Sequence, residues 1–320
     1  MKTILVSGTS GIIGYGILRS LKLSQKDIKV IGTTIYTDSP AEGFCDVFEK
    51  AIPTHDASYI DWLISVIKKH SIDFIIPGIE ADMYSWVNHI EEIEDAGAKL
   101  LLNTKELILL CNDKWHFYQA LKKEQSIYSI DTTLENNFNT LVNDFKLPFL
   151  LKPRIGHGSK GIVIVNDEET FNKYKANVGD ELMVQPIIGS NDEEYTTSAF
   201  CDGKGSYLAY MTLKRKLSKD GYTDKAEVVE LDGIEEALKE LCKLFRPLGP
   251  TNFQFRKHNG ILKLLEINPR ISSSNSIRTK FGFNESAMSI DYFLEEKRIT
   301  QPVIKKGKAI RYVEDLMIYE

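Results

Sequence analysis

No segment of the sequence approaches the ~18 consecutive apolar residues of a membrane-spanning helix, and the opening "MKTILVSG" is too short an apolar run for a secretory leader. Cysteine is scarce. Cys45, Cys111, Cys201 and Cys242 are far apart and form no C-x-x-C pair, which excludes a zinc ribbon or a disulfide framework. There is no basic block either: 40 lysines and arginines are interspersed among 45 aspartates and glutamates, for a formal net charge of −5. That balance argues against nucleic acid or an anionic membrane as partner. The histidines, including His116, His157 and His258, show no metal-ligand spacing, and no G-x-x-x-x-G-K-[ST] phosphate loop, internal repeat or low-complexity tract occurs. The expectation is a cytoplasmic globular protein.

What is present is a steady alternation of helical and β-branched segments over 320 residues, 42% of them hydrophobic and 27% charged, the composition of an α/β protein with more than one domain. "KTILVS" reads as a strand, and Ile13, Ile17, Leu18 and Leu21 give the next segment a helical stripe. "IKVIGTTI", "DFIIPGI" and "AKLLLN" read as further strands, with a helix expected over about 81 to 96, so the first hundred residues predict a doubly wound parallel sheet. A helix starting near Thr104 is expected to run through "NDKWHFYQALKK". After it comes a strand, strand, helix, strand module, then a run of antiparallel strands.

Gly8, Gly11 and Gly14 follow a strand and open a helix, the context a phosphate-binding turn requires. Their G-x-x-G-x-x-G spacing is that of extended short-chain dehydrogenases that bind NADP. Such enzymes need a tyrosine with a lysine four residues on; Tyr118 with Lys122 and Tyr210 with Lys214 satisfy this, but about one such match arises by chance in a lysine-rich chain. Thr33 and Thr34 stand where a ribose-binding acid belongs, and Asp38 comes late. Glycines that only let a helix pack closely on a sheet explain the turn equally well.

Chemistry concentrates in two later stretches. Lys152 ends an apolar strand and precedes a loop, Gly156, Gly158, Ser159, Lys160 and Gly161, which returns into another strand. Such a loop can lay backbone N–H groups on phosphate oxygens and exclude water as a lid, with His157 as a lid residue; an ordinary solvated hairpin is the alternative. In "NFQFRK" and "LKLLEINPR" the side chains alternate. If "HNG" is a three-residue loop with Gly260 left-handed, Lys257 faces Ile261 and Phe253 faces Leu265 on the buried side. Gln254, Glu266 and Asn268 then share the other face as oxygen donors suited to hard Mg²⁺ ions, and Arg270 is placed to hold an anionic oxygen.

Taken in order, "NDK" at 112 to 114, "LPFLLKPRIGHGSKGI", "VQPIIGSNDEEYT", "NFQF" and "EINPRISSSNS" resemble the ATP-grasp superfamily, and within it proteins similar to the large subunit of carbamoyl phosphate synthetase. The resemblance implies an α/β ATP-grasp fold: an N-terminal Rossmann-like (pre-ATP-grasp) parallel-sheet domain over 1–103, a helical linker and small α+β lid over 104–187, and a C-terminal antiparallel-sheet domain with the metal site over 188–320. It implies that Lys114 and Lys152 contact ATP phosphates from opposite sides and that the 156 to 161 loop closes over them. Backbone groups around Gln185 and Ile187 would read adenine, and Glu194 would take the ribose hydroxyls, with Glu193 or Asp192 as alternatives.

Gln254, Glu266 and Asn268 match the ligands of Mg²⁺, with Mn²⁺ as the substitute; Gln254 departs from the Asp or Glu of many relatives. Arg270 matches the arginine that steadies the transferred phosphoryl group or acyl phosphate, and Lys152, as a phosphate contact, is expected to be catalytic with it. Of Lys214, Arg215 and Lys216, Lys214 is taken as the phosphate-side residue, with Arg215 the alternative, since strand alternation allows at most two of them on one side. The implied reaction activates a small-molecule carboxylate as an acyl phosphate and joins it to an amine, and a homodimer is the expected assembly. The glycine turn, Glu80 and Asp82 would then border the acceptor substrate. An NADP-dependent reductase and a non-catalytic ATP-binding module are the competing functions.

Overall fold

The computed structural model describes residues 1–156, 160–219 and 221–317; His157, Gly158 and Ser159, named above for the lid, lie outside the described residues. The first sheet consists of β1 (Lys2–Val6), β2 (Ile28–Thr34), β3 (Val47–Lys50), β4 (Phe74–Ile76) and β5 (Lys99–Leu100), all parallel, in the order β3-β2-β1-β4-β5. Between them run α1 (Ile12–Leu23), α2 (Tyr59–His70), α3 (Glu80–Trp86) and α4 (Ile90–Asp95). Both faces of the sheet are covered, so its strands read as unbroken apolar runs. Leu5, Ile31 and Ile75 pack with α2 and α3 on one side. Ile4, Val6 and Phe74 pack with α1 and with residues from near the C-terminus on the other.

A single helix over 81 to 96 is not what forms. The chain turns at 87–89, where the Asn88 amide donates to the Tyr84 carbonyl at 3.1 Å and satisfies a group freed as α3 ends. The helix expected from Thr104 is likewise two, α5 (Lys105–Asn112) and α6 (Lys114–Lys123). Asp113 separates them: its carboxylate accepts from the Trp115 N–H at 2.8 Å as an N-cap and from Arg154 Nη2 at 2.6 Å.

The glycine turn is a packing device. A Cβ added to Gly78 would stand 2.0 Å from the Ser7 carbonyl, and one on Gly14 would stand 2.4 Å from the Gly8 carbonyl. The ends of β1 and β4 and the start of α1 therefore meet backbone to backbone.

The second sheet is small: β6 (Phe149–Pro153), β7 (Val163–Val165) and β8 (Leu182–Pro186), in the order β7-β6-β8 and antiparallel, carry α7 (Phe138–Phe145) and α8 (Glu168–Tyr174) over a core of Leu141, Phe149 and Phe171. The third has β9 (Glu194–Asp202), β10 (Tyr207–Leu217), β11 (Thr223–Val228), β12 (Leu248–His258), β13 (Ile261–Asn268) and β14 (Lys308–Ile310), in the order β13-β12-β9-β10-β11-β14. Ala199, Cys201, Phe253 and Phe255 face α9 (Ile234–Phe245). Phe200, Met211 and Leu213 face the opposite way, with residues of α10 (Asn275–Lys280) and α11 (Glu285–Phe293).

The β12–β13 turn differs from the three-residue loop expected. Asn259 and Gly260 form a two-residue turn with φ of 51° and 78°, and His258, not Lys257, pairs with Ile261. An Asn-Gly pair with both residues left-handed matches the twist of the flanking strands, which is why it prevails. Continued without interruption, that register would set Phe253 against Glu266 and Gln254 against Leu265. A bulge prevents this: Phe255 pairs with Leu264 but Gln254 pairs with Glu266, so Leu265 is skipped. Phe253 lies opposite Ile267, not Leu265, and the row Asn252, Gln254, Glu266 and Asn268 keeps one face.

Candidate active site

The three sheets converge on a cleft of about 590 Å³. The first sheet and its helices contribute Gly11 to Ile13, Gly78 to Ala81, Met83 and Tyr84, the end of α5 and start of α6 contribute Cys111, Asn112 and Lys114, the segment after β6 contributes Ile155 and Gly156, and β13 with the turn after it contributes Glu266 to Arg270.

Lys114 begins α6; its backbone N–H bonds Arg154 O at 2.9 Å and its Nζ bonds Gly156 O at 2.5 Å, tying the linker to both ends of the lid strand's exit. Lys152 reaches from β6 to β13, Nζ to Leu265 O at 3.4 Å. Burial, then the nearby Lys114 and Arg256, pull its pKa down to about 8 against the opposing pull of Glu266 and Glu194. For Glu266 desolvation acts upward, yet Lys152 and Lys114, the Asn268 hydrogen bond and Arg215 outweigh it and hold the carboxyl below its usual value. The bulge that skips Leu265 is what turns the Leu265 carbonyl and the Glu266 side chain toward these lysines together.

Asn268 Nδ2 donates to Glu266 Oε1 at 3.1 Å, and Arg270 Nη2 donates to Asn268 Oδ1 at 3.2 Å. Arg270 also binds Glu80 of α3 through Nε at 3.1 Å and through Nη2. Glu80 therefore borders the cleft as expected. Asp82 does not: it is buried beneath α3, accepting from Thr54 Oγ1 at 2.6 Å and Tyr59 OH at 2.8 Å, and burial raises its pKa. Cys111 lines the cleft, but burial and Glu266 push its thiol pKa far up, so it supplies no thiolate.

The choice between Lys214 and Arg215 is corrected. Along β10, Ala209, Met211, Leu213 and Arg215 share one face, and Arg215 Nη2 bonds Glu194 Oε1 at 2.8 Å and Gln254 Oε1 at 2.6 Å. Alternation turns Lys214 to the other face. The apolar period at 209, 211 and 213 is the signal that could have found Arg215. Glu194, expected to hold ribose hydroxyls, has both oxygens occupied: Arg215 on Oε1 and Arg256 Nη2 on Oε2 at 2.8 Å. Asp192 and Glu193 are exposed beside it. Gln185 sits on β8 with its amide donating to Thr132 Oγ1 at 2.8 Å, which leaves the peptide groups leading to Ile187 as the feature offered there. Gly156 and Gly161 have φ of 133° and 76°, and Lys160 is exposed.

Beneath the site lies a polar core that no motif announced. Arg278 and Glu285 are fully buried and paired at 3.3 Å, and Arg278 Nη2 also bonds Asn252 Oδ1 at 2.8 Å while Nη1 bonds Ser272 Oγ at 2.8 Å. Arg278 thereby joins the serine turn after Arg270 to the strand that carries Gln254.

The family model described as "ATP-grasp in the biosynthetic pathway with Ter operon" matches residues 179–316. Among solved structures, N5-carboxyaminoimidazole synthetase from Staphylococcus aureus is similar with a TM-score of 0.74 over 95% of this chain and 80% of that one, at 16% identity. The protein has the ATP-grasp fold.

A second ATP-grasp neighbour is the biotin carboxylase domain of 2-oxoglutarate carboxylase from Hydrogenobacter thermophilus, solved with MgADP, ADP and bicarbonate: TM-score 0.73, 17% identity, 96% of this chain and 73% of that one. In sequence, this chain is similar to the carbamoyl phosphate synthase large chain of Campylobacter jejuni, 24% identical over 293 residues, and to the arginine-specific large chain of Bacillus subtilis, 23% identical over 232 residues. These matches cover 85% and 68% of this chain but span only 26% and 22% of the relatives.

The oxygen row beside this cleft can be weighed as a cation site. Among the described residues no group of three or more His, Cys, Asp or Glu side chains is clustered to hold a metal. Glu266 lies beside the amide oxygens of Gln254 and Asn268, which in this arrangement accept from Arg215 Nη2 at 2.6 Å and Arg270 Nη2 at 3.2 Å; once the arginines turn to phosphate, one carboxylate and two amide oxygens make a hard donor set suited to a magnesium ion that draws its remaining ligands from phosphate and water.

Proposed function

We propose that the protein is an ATP-dependent ligase that activates a small-molecule carboxylate and joins it to an amine. The observation that carries this is the arrival of Lys114 from the start of α6 and of Glu266, Asn268 and Arg270 from β13 and the turn after it on one cleft, with Lys152 of β6 at the Leu265 carbonyl, close enough to Glu266 for each to shift the other's ionisation. A substrate carboxylate oxygen attacks the γ-phosphorus of ATP and ADP departs. The amine nitrogen then attacks the acyl carbon of the acyl phosphate, and phosphate departs with formation of the amide.

Lys114 and Lys152 hold the phosphates, and Arg270 holds the oxygens of the transferred group. Gly156 and Gly161, with Gly158, Ser159 and Lys160, form the lid. The peptide groups from Gln185 to Ile187 hold adenine. Glu194 serves by orienting Arg215 and Arg256 toward the nucleotide. Magnesium, or manganese in its place, would be held by Glu266, Asn268 and Gln254 and would neutralise phosphate charge. No side-chain nucleophile is needed, consistent with the protonated Cys111 thiol. A cytoplasmic homodimer is proposed with it, the dimer on the example of the H. thermophilus domain.

The test is release of ADP and phosphate with a panel of carboxylates and amines. Release is expected to require magnesium, to stop with EDTA, and to be lost in Lys152→Ala and Glu266→Ala. Turnover that persists in both variants refutes the assignment.

A further inference from the structure

The two walls of the cleft differ in charge. From β13 and the linker come Lys114, Glu266 and Arg270, with Lys152 behind Glu266; from the first sheet, Glu80 is the charged residue among the described lining residues. On the Glu80 side the lining is apolar, with Ile12, Ile13 and Ile79, and Ile155 lines the cleft from the segment after β6; Ile79 and Ile155 are 37% and 63% exposed. Exposed isoleucines gathered on a concave wall mark a place where an apolar body is to be covered.

Glu80 and Arg270 are each only partly accessible, with side-chain exposures of 25% and 12%, and they face each other across the domain boundary. The arginine proposed to steady the phosphoryl group is thus held by a carboxylate on the acceptor wall, and its other side-chain contacts, Asn268 Oδ1 at 3.2 Å and Ile271 O at 3.1 Å, keep it within reach of the β13 row.

We propose, building on the ligase function above, that Glu80 selects the amine substrate as a primary ammonium ion on an aliphatic or aromatic body, and that the incoming ammonium replaces Arg270 at Glu80. The exchange is balanced in charge. Glu80 keeps a cation beside it throughout, and Arg270, released, turns to the phosphoryl oxygens next to Asn268, so neither partner is left buried and unpaired. An alcohol of the same shape offers no cation and does not displace the guanidinium.

The experiment is calorimetric titration of the protein loaded with Mg-ADP, using isopentylamine and 2-phenylethylamine, each matched by isopentyl alcohol and 2-phenylethanol. In the wild type at least one amine is expected to bind about tenfold more tightly than its alcohol. Glu80→Gln is expected to remove that preference and Glu80→Asp to retain most of it. Amines that bind no better than alcohols, amines that do not bind at all, or an amine preference that survives Glu80→Gln each overturn the proposal. The wild-type comparison needs no variant, so it decides even if Glu80→Gln fails to fold. The nucleotide half of the assignment is judged separately, by whether Lys152→Ala loses Mg-ADP binding.

Discussion

Lys152 and Glu266 meet where the lid sheet touches the large sheet: the lysine Nζ lies 3.4 Å from the Leu265 carbonyl, one residue before Glu266, and the two side chains perturb each other's ionisation in opposite directions. Because burial brings Lys152 to about 8 from an ordinary 10.5, its charge is lost within an accessible range. Mg-ADP affinity is expected to fall as pH rises through about 8, and Lys152→Arg, which stays charged, is expected to flatten that dependence. Lys152→Ala should cost about 1.5–3 kcal/mol of binding at neutral pH, the worth of a hydrogen bond to a charged group. Titration calorimetry across this range checks both.

The same shift has the opposite sign for stability. Between pH about 8 and 10.5 the unfolded chain binds more protons at this lysine than the folded chain does, so its contribution to the stability of the nucleotide-free protein rises with pH in that window. Urea unfolding at either end of the window is expected to show wild type gaining on Lys152→Met as pH increases. No relative gain would mean that the lysine is not desolvated.

Arg215 and Lys214 give a sharp contrast, since they are adjacent in sequence and opposite in facing. Arg215→Ala leaves Glu194, a carboxylate with 5% of its side chain exposed, with Arg256 on Oε2 but nothing in place of the guanidinium on Oε1, and is expected to weaken Mg-ADP binding more than tenfold by loosening the Gln254 side of the site, about 1.4 kcal/mol or more. Lys214→Ala is expected to leave it within about twofold. Equal effects would show that strand alternation does not govern this edge.

Gly78 and Gly14 separate the packing role of the opening turn from a dinucleotide-binding role. With an added Cβ 2.0 Å from the Ser7 carbonyl, Gly78→Ala must push two strand ends apart. A loss of about 2–4 kcal/mol is expected in urea denaturation. Saturating Mg-ATP at ~100 times its Kd should stabilise wild type by about 2.7 kcal/mol, and NADPH is expected to leave the melting temperature unchanged. Stabilisation by NADPH alone would favour the reductase.

Arg278 and Glu285 form a fully buried ion pair under the site. Arg278→Met leaves Glu285 uncompensated and is expected to cost about 3–5 kcal/mol, with the double replacement by Met costing less than the sum of the single changes. Urea denaturation of the cycle measures the coupling.

Much of this protein was decided along the chain. Parallel strands buried on both faces must be apolar throughout, so the first sheet was visible in "KTILV" and "DFII"; lysines, glycines and a Glu-x-Asn-Pro-Arg row carry their chemistry wherever they are placed. Other features exist only once distant segments meet. The turn at Asn259 and Gly260 is local, but the bulge at Leu265 that rescues the pairing of Gln254 with Glu266 answers to the core on the far face of the sheet. Whether Lys214 or Arg215 looks into the site depends on which face of β10 is covered, and the meeting of Glu80 with Arg270, 190 residues apart, depends on how α3 packs against the large sheet. Side-chain type is a property of one position; register, facing and ion pairing are relations between positions, and tertiary packing sets them.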